Sequence, residues 1–393
     1  MRLLQLVQTP QRRGAEVFAH QLSGELRRRG HAVSIVYLYG TEAEADLPLH
    51  RDDRLLGGDP DHRLERLAGF HPALARRLRA ALSAFAPDVV QVNGARTVKY
   101  GALAARWTPD RAWALVYRNI GDPRRWLRGP ARKAFYRRLV MPRVDGVVAV
   151  SETTLAAVRE VYRLGVPAVA VPRAVDPSAL GVTVPRATMR RELATPAGCP
   201  VAIWIGSMSP EKRTDRLLRV ISSAAARVPD LHLWVVGDGP ERARAEALAH
   251  QAGQASRIRF AGRQPAVGDF LAAADLMLLT SDTEGLPGVV LEAAWFGVPA
   301  VATRVGGIGE FVVDGENGVL AAPEDEEALA RGVVRLATET DLRAALGRRA
   351  RERVRARHDL GEAAASYLEF YRRVRNGRGG GRAAGSFPER PPG

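Results

Sequence analysis

Two carboxylates, Glu284 and Glu292, are separated by seven residues that begin with the turn Gly285-Leu286-Pro287-Gly288 and continue as the apolar run Val289-Val290-Leu291. A turn that opens a helix presents several backbone N–H groups, together with the positive end of the helix dipole, to whatever lies in front of it. That combination suits an anionic or polyhydroxylated ligand. Glu284 would sit on the loop and Glu292 about two helical turns further along. The pair could then accept hydrogen bonds from two different hydroxyl groups of one ligand, such as those of a sugar ring and of a ribose.

A second cluster lies upstream, where Gly206-Ser207-Met208-Ser209-Pro210-Glu211-Lys212-Arg213 follows an apolar run. A glycine directly after a buried strand lets a ligand approach the backbone, and Lys212 could present a compact cation to a diphosphate. Lys99, Lys133 and Lys212 are the chain's three lysines, all its other basic residues being arginine, so a lysine at this position stands out against the composition. The stretch also fits an ordinary helix N-terminus with Ser209 as cap and Pro210 in the first turn. Gln11-Arg12-Arg13-Gly14-Ala15-Glu16 occupies the first strand-to-helix loop, where Gly14 opens room for a substrate. It lacks the Gly-x-Gly-x-x-Gly spacing, and no acidic residue closes the following strand, which argues against a nicotinamide dehydrogenase. Asp59-Pro60-Asp61 resembles a metal-binding acidic pair but lies in a polar, irregular segment, so no metal site is expected there. The chain has no Ser-His-Asp arrangement and no Gly-x-Ser-x-Gly elbow. Its one cysteine, Cys199, rules out an intramolecular disulfide.

These residues must be held by alternating strands and helices. Leu3 to Val7 has the pattern of a buried strand, Gly14 to Arg29 that of an amphipathic helix, and His31 to Tyr37 that of a second strand. Ala86 to Val92, Trp113 to Tyr117 and Val144 to Val150 repeat the short apolar pattern between helical segments. A turn-rich stretch from Val171 to Pro200 then interrupts it, and the alternation restarts with Val201 to Gly206, Leu231 to Gly237, Ile258 to Gly262, Leu276 to Thr280 and Pro299 to Thr303. Two parallel α/β domains in tandem follow, with the ligand expected in the cleft beyond the carboxyl ends of the strands. Leu360 to Arg375 is a last amphipathic helix, and the Gly-, Arg- and Pro-rich stretch from Asn376 to Gly393 is expected to be disordered.

A length of 393 residues and a 46% apolar content fit two globular domains. The first apolar run turns polar by Gln8, too early for a signal peptide, and no window is long enough for a spanning helix, so a cytoplasmic location is expected. The formal net charge is +15, and between Arg96 and Arg143 thirteen Lys/Arg face two Asp. Such a patch could meet acidic lipid, a pyrophosphate-linked substrate or nucleic acid, or be a solvated basic face. A nucleic-acid-binding reading would leave the second domain unexplained, so nucleic acid is not expected as a partner.

Gly206 to Lys212, Val235-Val236-Gly237-Asp238-Gly239-Pro240, Phe260-Ala261-Gly262-Arg263, Glu284 to Glu292, Val305-Gly306-Gly307-Ile308-Gly309-Glu310 and Asp314-Gly315-Glu316-Asn317-Gly318 resemble, in order and spacing, the motifs of the retaining, nucleotide-sugar-dependent glycosyltransferases of family 4. The resemblance implies the GT-B fold: two Rossmann-like domains facing across a cleft, with acceptor binding in 1–180, nucleotide-sugar binding in 181–359, a helix over 360–375 crossing back to the first domain, and a tail over 376–393. It implies transfer of a hexose from a UDP-sugar, or else a GDP-sugar, to a cell-envelope glycolipid, a polysaccharide precursor or a small molecule, without a metal or other cofactor. Lys212 and Glu284 would carry the reaction. Lys212 would hold the donor diphosphate, Gly206 and Ser207 would line its loop, Gly262 and Arg263 would border the base, and Gly14 would face the diphosphate or the acceptor across the cleft. Glu284 and the amides of Gly285, Leu286, Pro287, Gly288 and Val289 would position sugar and phosphate, and Glu292 would bind the ribose.

This chain departs from the family in several places. Ser207 stands where an arginine is common, leaving one diphosphate contact to come from elsewhere, and Arg213 replaces a glycine after the lysine, where its guanidinium is expected to compensate. Arg173-Ala174-Val175-Asp176 replaces an Asn-Gly-Val-Asp connection, and Val92-Asn93-Gly94 and Arg118-Asn119-Ile120 stand where histidines are common. A non-catalytic sugar-nucleotide binder and a sugar-nucleotide epimerase are therefore the competing expectations. Docking on the inner face of an anionic membrane is expected through Arg124, Arg125, Arg128, Arg132, Lys133, Arg137 and Arg138.

Overall fold

The computed structural model describes residues 1–60, 62, 63, 65 and 69–379; Asp61 of the acidic pair and the tail after Gly379 lie outside the described residues. The first sheet contains β1 (Arg2–Val7), β2 (Ala32–Tyr39), β3 (Arg54–Gly58), β4 (Val89–Asn93), β5 (Ala114–Asn119), β6 (Gly146–Ala149) and β7 (Ala168–Ala170), in the order β3-β2-β1-β4-β5-β6-β7. The second contains β8 (Val201–Ile205), β9 (His232–Val236), β10 (Ile258–Gly262), β11 (Leu276–Leu279), β12 (Ala300–Thr303) and β13 (Gly318–Ala321), in the order β10-β9-β8-β11-β12-β13. Neighbouring strands are parallel throughout, as in Leu3↔Val33 and Met277↔Ala300.

Helices cover both faces, which is why the strands are apolar at nearly every position. Successive side chains of a strand point to opposite layers. Leu4 and Leu6 pack with Val90, Leu78 and Tyr117, whereas Leu3 packs on the other side with Phe18, Val89 and Val116. The second sheet divides its residues likewise, Ile203 and Met277 going to one layer and Trp204 and Leu278 to the other.

The connection between domains is shorter than the turn-rich segment around it. Val175 and Leu180 already pack in the second domain's core, so the chain crosses at 171–175 rather than at 180. It returns through the helix Leu360–Gly379, whose Leu360, Tyr367, Phe370, Tyr371 and Val374 pack against Leu3, Phe18 and Val116. Arg378 pairs with Asp145 at 3.0 Å, anchoring that helix, and residues Asn376 to Gly379, expected in the disordered tail, are helical. Strand order reverses between β1 and β4 and again between β8 and β11. Such switch points open crevices at the carboxyl ends of the strands, so the loops after these four strands set the site. Among the described residues no helix is long and apolar enough to cross a membrane.

Candidate active site

The loop after β8 is braced by the loops beside it. Gly206 N–H donates to the Val236 carbonyl at 3.0 Å, Met208 N–H to that of Asp238 at 2.9 Å, and Gly237 N–H to that of Gly262 at 2.8 Å. The stretch Val235 to Pro240 thus acts as a support, and Ser207 is left exposed at the loop's tip. Ser209 does not cap a helix as its sequence context suggests: its hydroxyl donates to Glu211 at 2.6 Å, and Pro210–Lys212 is a single 3-10 turn. The reason is Arg213, whose backbone is left-handed (φ 52°, ψ 57°) and delays the helix until Thr214. That conformation costs a residue other than glycine about 1–2 kcal/mol. Here ion pairs to Asp215 at 2.9 Å and Asp282 at 3.2 Å hold it. The Arg213 guanidinium is therefore committed to the turn instead of reaching into the cleft.

The loop after β11 meets this one edge to edge. Asp282 N–H donates to the Glu211 carbonyl at 2.9 Å, and Arg216 binds the Thr280 carbonyl at 2.7 Å and Asp282 at 2.8 Å. These contacts bring Lys212 Nζ to 2.5 Å from Glu284 Oε1 across 72 residues of sequence. Ser281 Oγ donates to the same oxygen at 2.7 Å. The side chains of Lys212 and Glu284 are 22% and 8% exposed. Leu286 is buried in the core and Val289 packs against it, so both anchor the loop through their side chains. Pro287 precedes the helix Gly288–Trp295 at its N-cap position.

Two glycines in this loop are dictated by close approach. A Cβ on Gly285 would lie 2.0 Å from the Ile120 carbonyl oxygen and 2.8 Å from Val150, both of the first domain, so the loop is pressed against the facing wall. A Cβ on Gly288 would lie 2.1 Å from Cζ of Arg173. Glu292, one helical turn after Gly288, is paired with that same Arg173 at 3.4 Å. Arg173 also donates to the Gly14 carbonyl at 2.9 Å, which places Gly14, the first residue of the helix Gly14–Arg28, opposite the second domain. Burial pushes the Glu292 carboxyl up while Arg173 opposes it. Burial lowers the guanidinium of Arg173, with Glu292 acting against the shift and Arg118 adding to it.

Other ties hold the two walls together. Arg263 pairs with Asp46 of the first domain at 3.1 Å, while Gly262 stays beside Arg242. Glu310 accepts from the N–H groups of Glu152 and Thr153 at 2.9 and 2.8 Å, capping the first-domain helix Glu152–Tyr162 with a second-domain carboxylate. On the first-domain side Asn93 is buried and donates to Gln5 at 3.0 Å, so it serves the sheet. Arg118 is 1% exposed, donates to Tyr367 at 3.0 Å and lies over the Phe18 ring at 4.2 Å.

The structure thus joins Lys212 to Glu284, packs Gly285 against the first domain, brings Gly288, Glu292 and Gly14 to Arg173, leaves Ser207 exposed, and ties Arg213 to Asp215 and Asp282. Sequence reasoning did not single out the buried charges beside these residues: Arg173, Arg118 and also Glu16, which is buried at the start of its helix and whose carboxyl burial pushes up. A charged residue inside the apolar run of β5 was the available signal for Arg118. For Arg173 it was the replacement in the interdomain connection.

The family model Glycosyltransferase Family 4 matches residues 12–179, and that of Glycosyl transferases group 1 matches residues 185–353. The lipopolysaccharide core biosynthesis glycosyltransferase LpsE of Rhizobium meliloti is 38% identical over 163 residues, which are 42% of this chain and 47% of that protein. The chain thus spans about half the length of that relative in the match. Among solved structures, sucrose-phosphate synthase of Thermosynechococcus elongatus superposes with a TM-score of 0.81 at 20% identity, covering 95% of this chain and 99% of its own. HepE of Anabaena in complex with UDP-glucose gives 0.75 at 21% identity, covering 94% and 100%. At these identities the structural likeness shows the shared GT-B fold.

Proposed function

The chain belongs with the glycosyltransferases of the family 4 type, its first domain matched by the Family 4 model and its second by that of Glycosyl transferases group 1, and from that premise we propose that it is a retaining hexosyltransferase using a nucleoside diphosphate sugar, a UDP-sugar ahead of a GDP-sugar. The observation that carries this reading is the Lys212–Glu284 pair, 2.5 Å apart at the foot of the helix Gly288–Trp295. A UDP-glucose complex of a protein with the same fold supports the donor class.

Transfer breaks the bond between the anomeric carbon and the diphosphate oxygen, so negative charge grows on the leaving group while the sugar becomes oxocarbenium-like. Lys212 and the amides that open the helix Gly288–Trp295 stabilise that charge from fixed positions, the role a divalent cation plays elsewhere. Glu284 keeps Lys212 in place through Oε1 and offers Oε2 to a sugar hydroxyl. The acceptor hydroxyl attacks from the face the diphosphate leaves, and its proton passes to the departing phosphate oxygen, so the anomeric configuration is kept without a protein nucleophile. Glu292 is assigned to the ribose hydroxyls.

The acceptor is proposed to be a cell-envelope glycolipid or saccharide, in line with the lipopolysaccharide role named for the Rhizobium meliloti relative. The protein would work in the cytoplasm, on the inner membrane face. Arg125, Arg128, Arg132 and Arg138 are exposed, and Phe135 and Leu139, four residues apart on the same helical segment, are 43% and 52% exposed. Basic side chains around two exposed apolar ones fit an anionic bilayer surface. The set of seven shrinks, because Arg124 pairs with Asp122 and Glu160, Arg137 is bound to the Val161 carbonyl, and Lys133 is half-buried.

The test is a screen of UDP-, GDP- and ADP-sugars for hydrolysis or transfer. Turnover of one donor is expected. A protein that binds a nucleoside diphosphate but turns over none of its sugars would instead be a non-catalytic member.

A further inference from the structure

The guanidinium of Arg173 stands where a cation is poorly placed. A Cβ on Gly288 would be 2.1, 2.2 and 2.3 Å from its Cζ, Nε and Nη2, so the group lies face-on against the first residue of the helix Gly288–Trp295. The free amides and dipole make that end of a helix electropositive. Arg173 is 8% exposed, and Arg118, buried in the first domain, adds a second positive charge to its surroundings. Against this stand one ion pair to Glu292 at 3.4 Å and one hydrogen bond to the Gly14 carbonyl at 2.9 Å. Among the described residues, Nε of Arg173 and Nη1 of Arg118 have no hydrogen-bond partner. Buried N–H donors without partners are costly, and an anion seated between the helix amides and the guanidinium would supply one.

We propose that Arg173 is a ligand of the donor's leaving diphosphate. The phosphate seats on the amides that open the helix Gly288–Trp295 and takes the guanidinium from Glu292, which is thereby released to a donor hydroxyl. This inference rests on the nucleotide-sugar reading above. It supplies the cation that Ser207 cannot, from the interdomain segment instead of the loop after β8. Because Arg173 also holds Gly14, the phosphate is gripped through a residue that touches both domains.

The experiment measures binding to the full chain by calorimetry, with whichever of UDP, GDP or ADP the wild-type protein binds and with the matching monophosphate. Arg173→Ala is expected to weaken the diphosphate by about 10- to 100-fold, the loss of a charge-assisted contact. The monophosphate, which lacks the terminal phosphate, should change by less than about threefold. Arg173→Lys, which keeps the charge without the planar fork, should fall between. If the alanine variant does not fold, Arg173→Gln carries the same comparison, retaining amide donors toward Gly14 without the charge. Unchanged diphosphate binding, or equal weakening of both nucleotides, would overturn the assignment, the latter marking a structural role. Wild-type protein that binds no nucleoside diphosphate would sink the function reading and this inference with it.

Discussion

Lys212→Met and Glu284→Gln, made singly and together, separate what their ion pair does for the fold from what it does for the reaction. Removing one partner of a fully buried pair costs about 3–5 kcal/mol, because the other charge is left uncompensated. Glu284 is nearly buried, but Lys212 at 22% side-chain exposure admits water. We therefore expect Lys212→Met to cost about 2–3 kcal/mol, with Ser281 still donating to Glu284. For a domain of this size that lowers the melting temperature by about 4–12 °C. Glu284→Gln should cost less, since the orphaned charge is the more exposed one. The double variant removes both charges and should return to within about 1 kcal/mol of wild type. Turnover should not return with it: losing a preorganised charge at the leaving group costs about 2.7–4 kcal/mol of barrier, a factor of roughly 10²–10³ in kcat. Lys212→Ala and Glu284→Ala should likewise each lower turnover at least about tenfold with the fold intact. The assays are thermal unfolding and nucleoside diphosphate release from the donor found in the screen. A double variant that regains turnover to within about threefold of wild type would show the pair to be a structural bridge and refute the mechanism.

Four further outcomes are expected. Glu292→Gln removes the carboxylate that occupies Arg173, so inorganic pyrophosphate should bind about threefold tighter while the nucleoside diphosphate, losing its ribose contact, binds more weakly; calorimetry showing both ligands weakened would contradict the assignment. Hydrogen bonds from Arg213 hold the Asp215 carboxyl well below its ordinary 3.8, with Arg219 contributing. For such a group the stabilisation is present above the ordinary pKa and lost below it, so the wild-type melting temperature should fall between about pH 4 and 2 more steeply than that of Asp215→Asn; parallel curves would count against it. Glu310→Ala gives up two hydrogen bonds from first-domain amides, worth about 1–2 kcal/mol together, and should enlarge the radius of gyration in small-angle scattering; an unchanged curve would mean that the contact does not hold the walls together. Sedimentation with anionic vesicles at low salt should be lost in Phe135→Ser/Leu139→Ser and absent with neutral lipid, and a wild-type protein that never sediments would end the membrane proposal.

Much of the architecture was legible because it is written locally. Apolar runs such as Leu3 to Val7 and Val201 to Ile205, recurring between amphipathic helices, specify parallel strands covered on both faces, and a glycine-rich turn before an apolar helix marks an anion-facing end wherever it occurs. Glu284 and Gly288 stood out on that ground, and Lys212 as a rare lysine in the loop after an apolar strand. Element ends were less visible. The return helix runs to Gly379 because Arg378 finds Asp145, 233 residues earlier, and Arg213 delays a helix because Asp282, from another loop, holds it in a left-handed turn.

The partners of the charged side chains belonged to tertiary structure. Arg118, Arg124 and Arg137 fall in one basic stretch of sequence, yet one is buried over Phe18, one is paired with Asp122 and Glu160, and one is tied to a backbone carbonyl. Nothing in their own neighbourhood sorts them, because a charge's environment is set by whatever packs over it. Lys212 meets Glu284 because β8 lies beside β11, and Arg173 lies between Gly14 and Glu292 because the interdomain segment carries it there. Residue types and their spacing mark which side chains could bind an anion; how far each charge is desolvated, and which opposite charge reaches it, depends on contacts between distant segments that form when the chain folds.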